Sequence, residues 1–404
     1  MAEKKTKGLR TWIELDKTAL KHNVAQFRPL IPSTTKLCAV VKSNAYGHGL
    51  MDFTREVVAA GVDFLAVDSV VEGLRLREEG IKLPILILGY TLPEKLREAI
   101  EADLSLAVSH FEGLQEIINL AKADKTFGAG ELVPKIHIKV DTGMHRQGFM
   151  LNSANRLLKI LSESMISDEK GYRKNQVIKI EGLFTHFAAA KDPKFPQETQ
   201  KQLDEFKKWA ALFAEAGIKP ILHAAATSGT ILFPESHFDM VRIGIGLYGL
   251  WPSTETQIFA EKKLSLKPVL SWKTIVSEVK KLPEGGGVGY EFTETLPANS
   301  RIVICPIGYW HGFPWALSGI GKVLIGGERC KIVGRVSMDM IIVDVTHLKK
   351  VAIGDEVVLI GGQAGVNENG HDDYISAQEI AGLMNASWYE LVTRLNPLIK
   401  KIIV

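Results

Sequence analysis

The feature that most constrains the fold is an alternation of short apolar runs with amphipathic segments between residues 37 and 245. The segment Thr199–Gly217 places apolar side chains at a helical spacing and ends on a glycine, which is typical of an amphipathic helix. Strands that alternate with helices pair in parallel through crossovers, so eight such units predict a TIM-type (β/α)8 barrel. A doubly wound open sheet is the alternative. The eight candidate strands are Leu37–Val41, Asp63–Val67, Pro84–Leu88, Leu104–Val108, Lys135–Val140, Ile178–Phe184, Lys219–His223 and Met240–Ile245.

The pattern changes after Pro252, where short strand-like runs follow one another with glycine-rich turns between them. This pattern is typical of a mostly antiparallel β domain. A weak helix is predicted at Ser376–Met384, and Glu163–Val177 is predicted to be an exposed loop. We therefore expect a barrel domain over residues 11–264 and a C-terminal β domain over residues 265–404.

Composition argues against several classes of protein. The formal net charge is +3 and no long basic block occurs, so nucleic acid is not an expected partner. No run of 18 apolar residues predicts a membrane span, and the basic start MAEKKTKGLR is not followed by the apolar core of a secretory signal. The three cysteines lack the spacing of a metal site or a disulfide framework. We expect a cytoplasmic protein that acts on a small molecule without a metal.

Polar side chains follow five of the predicted barrel strands. A single strand-end lysine is more often a surface anchor, but five placements together favour a site, because barrel chemistry is located at the C-terminal ends of the strands. The residues are Lys42 after the first strand, Lys139, Asp141 and Arg146 after the fifth, His186 after the sixth, His223, Thr227 and Ser228 after the seventh, and Arg242, Gly244 and Ile245 at the eighth.

The loops after strands seven and eight form the usual phosphate site of such barrels. Hydroxyls at Thr227 and Ser228, together with backbone N–H groups near Gly244, are suited to an anion. With a lysine amine and Arg242 at the same mouth, these groups suggest pyridoxal 5′-phosphate (PLP), with Lys42 holding its aldehyde as a Schiff base. The run GIGLYG matches a dinucleotide fingerprint, but Trp251-Pro252-Ser253 follows where that fingerprint needs a helix.

Eight motifs occur in order along nearly the whole chain: AVVKSNAYGHG, KVDTGMHRQG, EGLFTHFAAA, DMVRIGIGLYGL, GVGY, PIGYWHG, GRVSMDM and SWYE. In these motifs the sequence resembles the alanine racemases, which are PLP-dependent fold-type III barrel enzymes. The resemblance implies that Lys42 binds the cofactor and is one of two bases, and that Tyr290 is the second. Two bases on opposite faces of a planar carbanion are the simplest means of inversion.

The resemblance also implies supporting roles. Arg242 faces the pyridine nitrogen and, as a cation, keeps it unprotonated. His186 and His223 orient that arginine. The remaining implied residues are Tyr46, Thr227, Gly244, Ile245 and Tyr389 around the cofactor, Arg146 and the Met338 N–H toward the substrate, Lys139 as a carbamylated partner of Arg146, and Asp339 and Tyr309 near the pocket mouth. A homodimer with shared active sites is implied, with Tyr290 supplied by the partner's β domain.

Several positions depart from the family pattern, and several of these concern the entrance. His145 stands where DTGMGR is common, Trp310 and His311 stand where IGYADG is common, and Lys191 is inserted before Asp192. Substrate breadth is therefore less determined than reaction type. The alternatives are a racemase of broader specificity, for example for serine, a fold-type III decarboxylase, which should place a carboxylate where Arg242 stands, and a non-catalytic PLP-binding barrel.

Overall fold

The protein is described by a computed structural model over residues 6–123, 127, 132–164, 177–363 and 373–404. These residues divide into two compact units. The barrel unit comprises Leu20–Ser43 and Thr54–Lys267. The sheet unit comprises the residues up to Ala19, Asn44–Phe53 and Pro268–Val404. The loop predicted at Glu163–Val177 lies largely outside the described residues.

Strand β1 (Thr11–Leu15) belongs to the sheet unit, and the next strands form the barrel. Within the described residues, eight parallel strands are hydrogen-bonded in the order β8-β7-β6-β5-β4-β3-β2-β9. A bridge between Ala226 and Arg242 brings the two end strands together, so the barrel is nearly closed, as predicted. The barrel strands are β2 (Lys36–Val40), β3 (Phe64–Val67), β4 (Ile85–Ile87), β5 (Ser105–Val108), β6 (Lys135–Lys139), β7 (Lys179–Phe184), β8 (Ile221–His223) and β9 (Met240–Ile243).

The helices follow from apolar stripes and local capping. In Pro196–Glu215, the proline stands at the helix start, where its missing N–H is harmless, and Leu203, Phe206 and Phe213 are buried as the sequence pattern predicts. The α-helices before the sheet region are α1 (Lys17–Phe27), α2 (Lys42–Tyr46), α3 (Leu50–Ala59), α4 (Val70–Glu78), α5 (Pro93–Glu101), α6 (Phe111–Ala123), α7 (Ala154–Glu163), α8 (Pro196–Glu215), α9 (Thr227–Leu232) and α10 (Thr254–Ala260). Single 3-10 turns occur at Arg28–Leu30, Leu151–Ser153, Pro234–Ser236, Tyr290–Phe292, Tyr309–His311 and Trp315–Leu317.

The sheet unit is mostly antiparallel, as predicted. Its larger sheet has the order β11-β14-β17-β16-β15-β18-β10-β1-β20, with β19 attached to β18, and β12 pairs with β13. Helices α11 (Ala377–Leu383) and α12 (Trp388–Thr393) follow one another in the chain between β19 and β20. The strands are β10 (Leu270–Ile275), β11 (Glu278–Leu282), β12 (Gly286–Val288), β13 (Glu294–Leu296), β14 (Ser300–Cys305), β15 (Lys322–Ile325), β16 (Glu328–Val333), β17 (Ile341–Asp344), β18 (Glu356–Gly362), β19 (Tyr374–Ile375) and β20 (Lys400–Ile403).

The first strand differs from the expected domain limits. We expected the barrel to begin at residue 11, but β1 pairs with β10 in antiparallel and with β20 in parallel register, and these partners lie more than 250 residues further along the chain. Trp12, Ile13 and Leu15 are buried there. Both edges of β1 are hydrogen-bonded, one to β10 and the other to β20, so β1 belongs to the sheet and not to the barrel.

No helix in the described part of the chain is long and apolar enough to cross a membrane.

Candidate active site

The expected lysine lies immediately after β2, in a turn of unusual handedness. Helix α2 (Lys42–Tyr46) has φ between +50° and +57° at Ser43 to Tyr46, so this turn is left-handed. Left-handed conformations cost roughly 1–2 kcal/mol per non-glycine residue. The turn is held by backbone bonds from Gly49 to Asn44 and from His48 to Ala45, of 3.0 and 2.9 Å. Strain concentrated at one turn is a feature of functional sites.

Positive charge surrounds Lys42 in the barrel unit. Lys42 Nζ lies 3.1 Å from Asp68 Oδ1. The pKa of Lys139 is lowered to about 8, first by burial and then by the charges of Arg146, Arg242 and Lys42, in that order. These four cations are therefore close enough to influence one another, and Lys139 also donates to Gln147 Oε1 at 3.0 Å. Several cations on parallel strand ends favour an anionic ligand at this mouth.

Two histidines lie in the same electrostatic environment. Burial lowers the pKa of His186 to about 3, and Arg242 and Arg146 contribute after it. Burial also lowers the pKa of His223 well below its usual value, with Arg242 again contributing. Both imidazoles are therefore neutral near pH 7. His223 Nδ1 lies 2.8 Å from Nη1 of Arg242, so it can accept a hydrogen bond from that guanidinium.

The loop that carries Arg146 is organised by one carboxylate. Asp141 Oδ1 accepts backbone N–H groups from Gly143, Met144 and His145 at 2.9 to 3.0 Å. His145 has φ of +54°, where glycine is favoured, which explains why DTGMGR suits the same turn. Asparagine, aspartate and histidine are the residues that best tolerate this region after glycine, so the departure at this position is compatible with the fold.

The loops after β8 and β9 are joined by a side chain. Gly244 N–H donates to Thr227 Oγ1 at 3.2 Å, and Ile245 is buried beside it. Thr227 and Ser228 are buried at the start of α9, so these groups are grouped as the barrel pattern predicts.

In the sheet unit, Tyr46 and Tyr389 lie with ring centroids 6.3 Å apart. Burial raises the pKa of Tyr389 above its usual range, and Tyr46 adds to this effect. Tyr309 N–H donates to Ser337 O, and Trp310 N–H donates to Met338 O at 2.9 Å. The motifs PIGYWHG and GRVSMDM are therefore brought together, with Tyr309 and Met338 about half exposed.

Tyr290 lies in a short turn of the sheet unit, and 70% of its surface is exposed. Glu291 and Phe292 have φ of +62° and +47°, and Arg335 pairs with Glu291 at 3.1 Å. Asp339 is also exposed.

Four side chains important to this geometry were not among the predicted site residues: Asp68, His137, Gln147 and Glu181. A histidine between two isoleucines, in KIHIK, was the only signal for His137.

Comparison with known protein families gives two matched regions, one N-terminal and one C-terminal. Residues 15–252 match the family "Alanine racemase, N-terminal domain", and residues 269–403 match "Alanine racemase, C-terminal domain". The chain belongs to the alanine racemase family. A relative from Symbiobacterium thermophilum named alanine racemase is 38% identical over 388 residues, which cover 95% of each chain.

Two solved structures extend the comparison. An alanine racemase from Bacillus anthracis with bound L-Ala-P has a TM-score of 0.85 and 33% identity, covering 98% of this chain and 95% of that one. A histidine racemase from Leuconostoc mesenteroides has a TM-score of 0.82 and 29% identity, covering 98% of this chain and 99% of that one. The family architecture is therefore shared by racemases named for different amino acids.

Proposed function

We propose that the protein is a PLP-dependent alanine racemase that interconverts L- and D-alanine. The observation that carries this proposal is the cluster of Lys42, Lys139, Arg146 and Arg242. Burial lowers the pKa of Lys139 most, and the charges of the other three cations also lower it, so the four lie close enough to interact. A cofactor with a phosphate and a phenolate oxygen and a substrate with a carboxylate are anionic, so this donor set fits them. An arginine rather than a carboxylate at position 242 argues against the decarboxylase alternative.

The proposed cofactor contacts come mainly from side chains and backbone groups of the barrel unit. Thr227, Gly244 and Ile245 would hold the phosphate end with Tyr46, while Arg242 would face the pyridine nitrogen. His186, Tyr389, Lys139 and His223 would support this arrangement. When bound, PLP supplies an electron-withdrawing ring that acidifies the α C–H bond of an attached amino acid.

The chain's own residues would then move and position the proton. Lys42 would remove or return it on one face of the α-carbon, and the Tyr290 phenol would do so on the other. Arg146 and the backbone N–H of Met338 would hold the substrate carboxylate. Asp339 and Tyr309 would shape the entrance to the pocket.

A second copy of the chain is the proposed partner. The sheet unit exposes eight large apolar side chains between residues 290 and 340, and contiguous patches of such side chains mark interfaces. A homodimer in which Tyr290 serves the Lys42 site of the other copy would cover a phenol that is otherwise 70% exposed. The exposed set is Tyr290, Phe292, Tyr309, Trp310, Trp315, Ile320, Met338 and Met340.

The central assignment is tested at Lys42. Borohydride reduction of the purified yellow protein should leave a phosphopyridoxyl group on the peptide that contains Lys42. Lys42→Ala should abolish the label and the racemisation of alanine. Lys36→Ala, at the other end of the same strand, is the matched control and should retain both. Label on a different lysine would refute the assignment.

Substrate breadth is tested by incubating the protein with L-alanine, L-serine and L-histidine in D2O. Alanine should give the fastest α-deuteration and chiral inversion. Trp310 and His311 are proposed to lie near the entrance, and a structural neighbour is named for histidine. Inversion of serine or histidine faster than alanine would replace the proposed substrate.

The shared site is tested by co-expressing Lys42→Ala and Tyr290→Phe under different tags. Random pairing makes about half of the dimers mixed, each with one intact site of two, so about a quarter of wild-type activity should return if Tyr290 acts across the interface. A verified mixed dimer without activity would show that Tyr290 acts within its own chain.

A further inference from the structure

The side chain of Arg242 is a buried cation whose hydrogen-bond partners are all neutral. Only 3% of the residue is exposed. Its Nη1 donates to His223 Nδ1 and to His223 O, at 2.8 and 3.0 Å, and its Nη2 donates to Thr185 O and Ala224 O, at 2.7 and 3.0 Å. Among the described residues, no carboxylate forms an ion pair with this guanidinium within 4.0 Å. Because buried charges are normally compensated, an anion connected to Arg242 through the hydrogen bonds of His223 is expected.

These hydrogen bonds lead through a second histidine to a carboxylate. His223 Nε2 lies 2.9 Å from His137 Nδ1, and His137 Nε2 lies 3.3 Å from Glu181 Oε2. Ser105 Oγ donates to the same Glu181 oxygen, and Lys179 Nζ lies 3.2 Å from the other. We call the pair His223 and His137 the histidine bridge, because it joins Arg242 to Glu181.

The chemistry at the two ends determines the direction of every hydrogen bond in the histidine bridge. A guanidinium only donates, so His223 Nδ1 accepts and its Nε2 carries the proton. His137 Nδ1 must then accept from His223, and His137 Nε2–H donates to the carboxylate, which only accepts. The cation and the anion therefore require the same two tautomers, and neither end conflicts with the other.

The fold provides space for this arrangement. Gly182 on β7 stands opposite His137 on β6, and a Cβ atom at Gly182 would lie 2.0 Å from His137 Nδ1. Phe184 stacks on the His223 ring, with centroids 4.8 Å apart and planes 8° from parallel. Both imidazoles are fully buried, so water does not offer an alternative partner.

We propose that His137 and Glu181 are positioning residues that act through His223 to hold Arg242 in place as a hydrogen-bond donor and a cation. Glu181 ends the histidine bridge with an acceptor, and His137 transmits that requirement to His223. This inference rests on the proposed function for its consequence in catalysis, since Arg242 is the residue proposed to face the cofactor ring.

The ionisation of the groups agrees with this geometry. Burial lowers the pKa of His137, while the hydrogen bond and charge of Glu181 oppose that change. For Glu181, burial raises the pKa, but the hydrogen bonds from His137 and Ser105 and the positive charge of Lys179 outweigh it and hold the pKa below its usual value. A carboxylate and two neutral imidazoles are therefore present near pH 7, so the contact between His137 and Glu181 is a hydrogen bond to an anion.

The first test reads the tautomers directly. Nuclear magnetic resonance of the purified protein labelled with ¹⁵N-histidine distinguishes ring nitrogens that carry a proton from those that do not. We expect both His137 and His223 to be neutral and protonated at Nε2, with single-histidine variants used for assignment. A proton on Nδ1 of either ring, or an imidazolium near pH 7, would overturn the proposal.

The second test separates positioning from simple stability. In Glu181→Leu the last N–H of the histidine bridge loses its acceptor, so the His137 resonances should show a changed or mixed tautomer. The kcat for alanine should fall about tenfold, the size expected for loss of one buried hydrogen bond to a charged group, while KM changes less than about twofold. Glu181→Gln keeps a carbonyl acceptor and should restore the tautomers and most of kcat.

Asp63→Leu is the matched control. It removes a barrel carboxylate that accepts from Leu37 N and pairs with Arg28, and it is not part of the hydrogen-bonded path from Arg242 to Glu181. It should leave the tautomers and kcat unchanged. Equal kcat for the Leu and Gln variants at position 181, with wild-type tautomers in both, would overturn the proposal. If the wild-type protein racemises no amino acid, the proposed function fails, but the tautomer measurement still decides the histidine bridge. That measurement on the wild-type protein also stands if a variant does not fold.

Discussion

The substitution Gly182→Ala tests how tightly the barrel interior is built around His137. A Cβ at this position would lie 2.0 Å from His137 Nδ1, 2.5 Å from Cε1 and 2.6 Å from Cγ. To reach ordinary contact at 3.4 Å, Nδ1 must move by about 1.4 Å. The present hydrogen bond from His223 Nε2 to this atom is 2.9 Å long, so such a movement breaks it.

The expected loss of stability combines two terms. Overpacking a core costs about 1–3 kcal/mol, and leaving the buried His223 N–H without an acceptor costs about 1–3 kcal/mol, so we expect a total of about 2–6 kcal/mol. The free energy of unfolding is measured by urea titration. Gly382→Ala, in a helix where an added Cβ meets nothing within 4 Å, is the control and should be neutral or slightly stabilising.

A double-mutant cycle isolates the contact. In the His137→Ala background the ring is absent, so Gly182→Ala should cost less than about 0.5 kcal/mol, and the interaction energy between the two sites should be at least about 1.5 kcal/mol. If Gly182→Ala costs the same in both backgrounds, the steric argument is wrong. If it costs nothing in the wild-type background, the His137 ring does not occupy the position described.

Three further predictions concern other parts of the molecule. Gly47→Ala should destabilise the turn at Lys42 and lower the cofactor affinity measured by absorbance titration. The reason is that Gly47 has φ of +80° and an added Cβ would lie 1.8 Å from Val392 O. Wild-type affinity in this variant would contradict the prediction. Burial lowers the pKa of His48 to about 4, so the unfolded state binds more protons than the folded state between pH 4 and 6.5. About 3 kcal/mol of stability should therefore be lost as the pH falls through that range. In urea titrations from pH 7 to 4, the free energy of unfolding of His48→Gln should depend less on pH than that of the wild-type protein. Gly308→Ala should reduce kcat/KM for alanine roughly 10- to 100-fold with a smaller effect on stability. The reason is that an added Cβ would lie 2.2 Å from Ser337 O and 2.5 Å from Met338 O and would displace the loop that carries Met338. An unchanged KM would argue against a substrate contact at Met338.

Local sequence patterns determined the barrel and most of the strand-end residues. Seven of the eight predicted barrel strands contain the observed one, and the first, Leu37–Val41, overlaps the observed Lys36–Val40 except at one residue at each end. A buried parallel strand is a short apolar run bounded by polar residues, which can be recognised without knowing its neighbours. The same patterns placed Lys42, His223 and Arg242 at or near strand ends, where a barrel brings side chains together. The helix stripe and the glycine at its end were likewise readable, since both depend on contacts within a few residues.

Tertiary structure alone decided what depends on distant partners. The run TWIEL is recognisable as a strand, but its place between β10 and β20 depends on pairing with segments more than 250 residues away. The left-handed turn at Lys42 is maintained by its surroundings against its local preference, so residue propensities do not predict it. The connection from Arg242 to Glu181 crosses four neighbouring strands, and its side chains meet only because parallel registry aligns them inside the barrel. By sequence alone, His137 is a histidine between two isoleucines, which could be an isolated core residue. Only packing shows that Gly182 faces its ring and that the Glu181 carboxylate accepts a hydrogen bond from its Nε2–H.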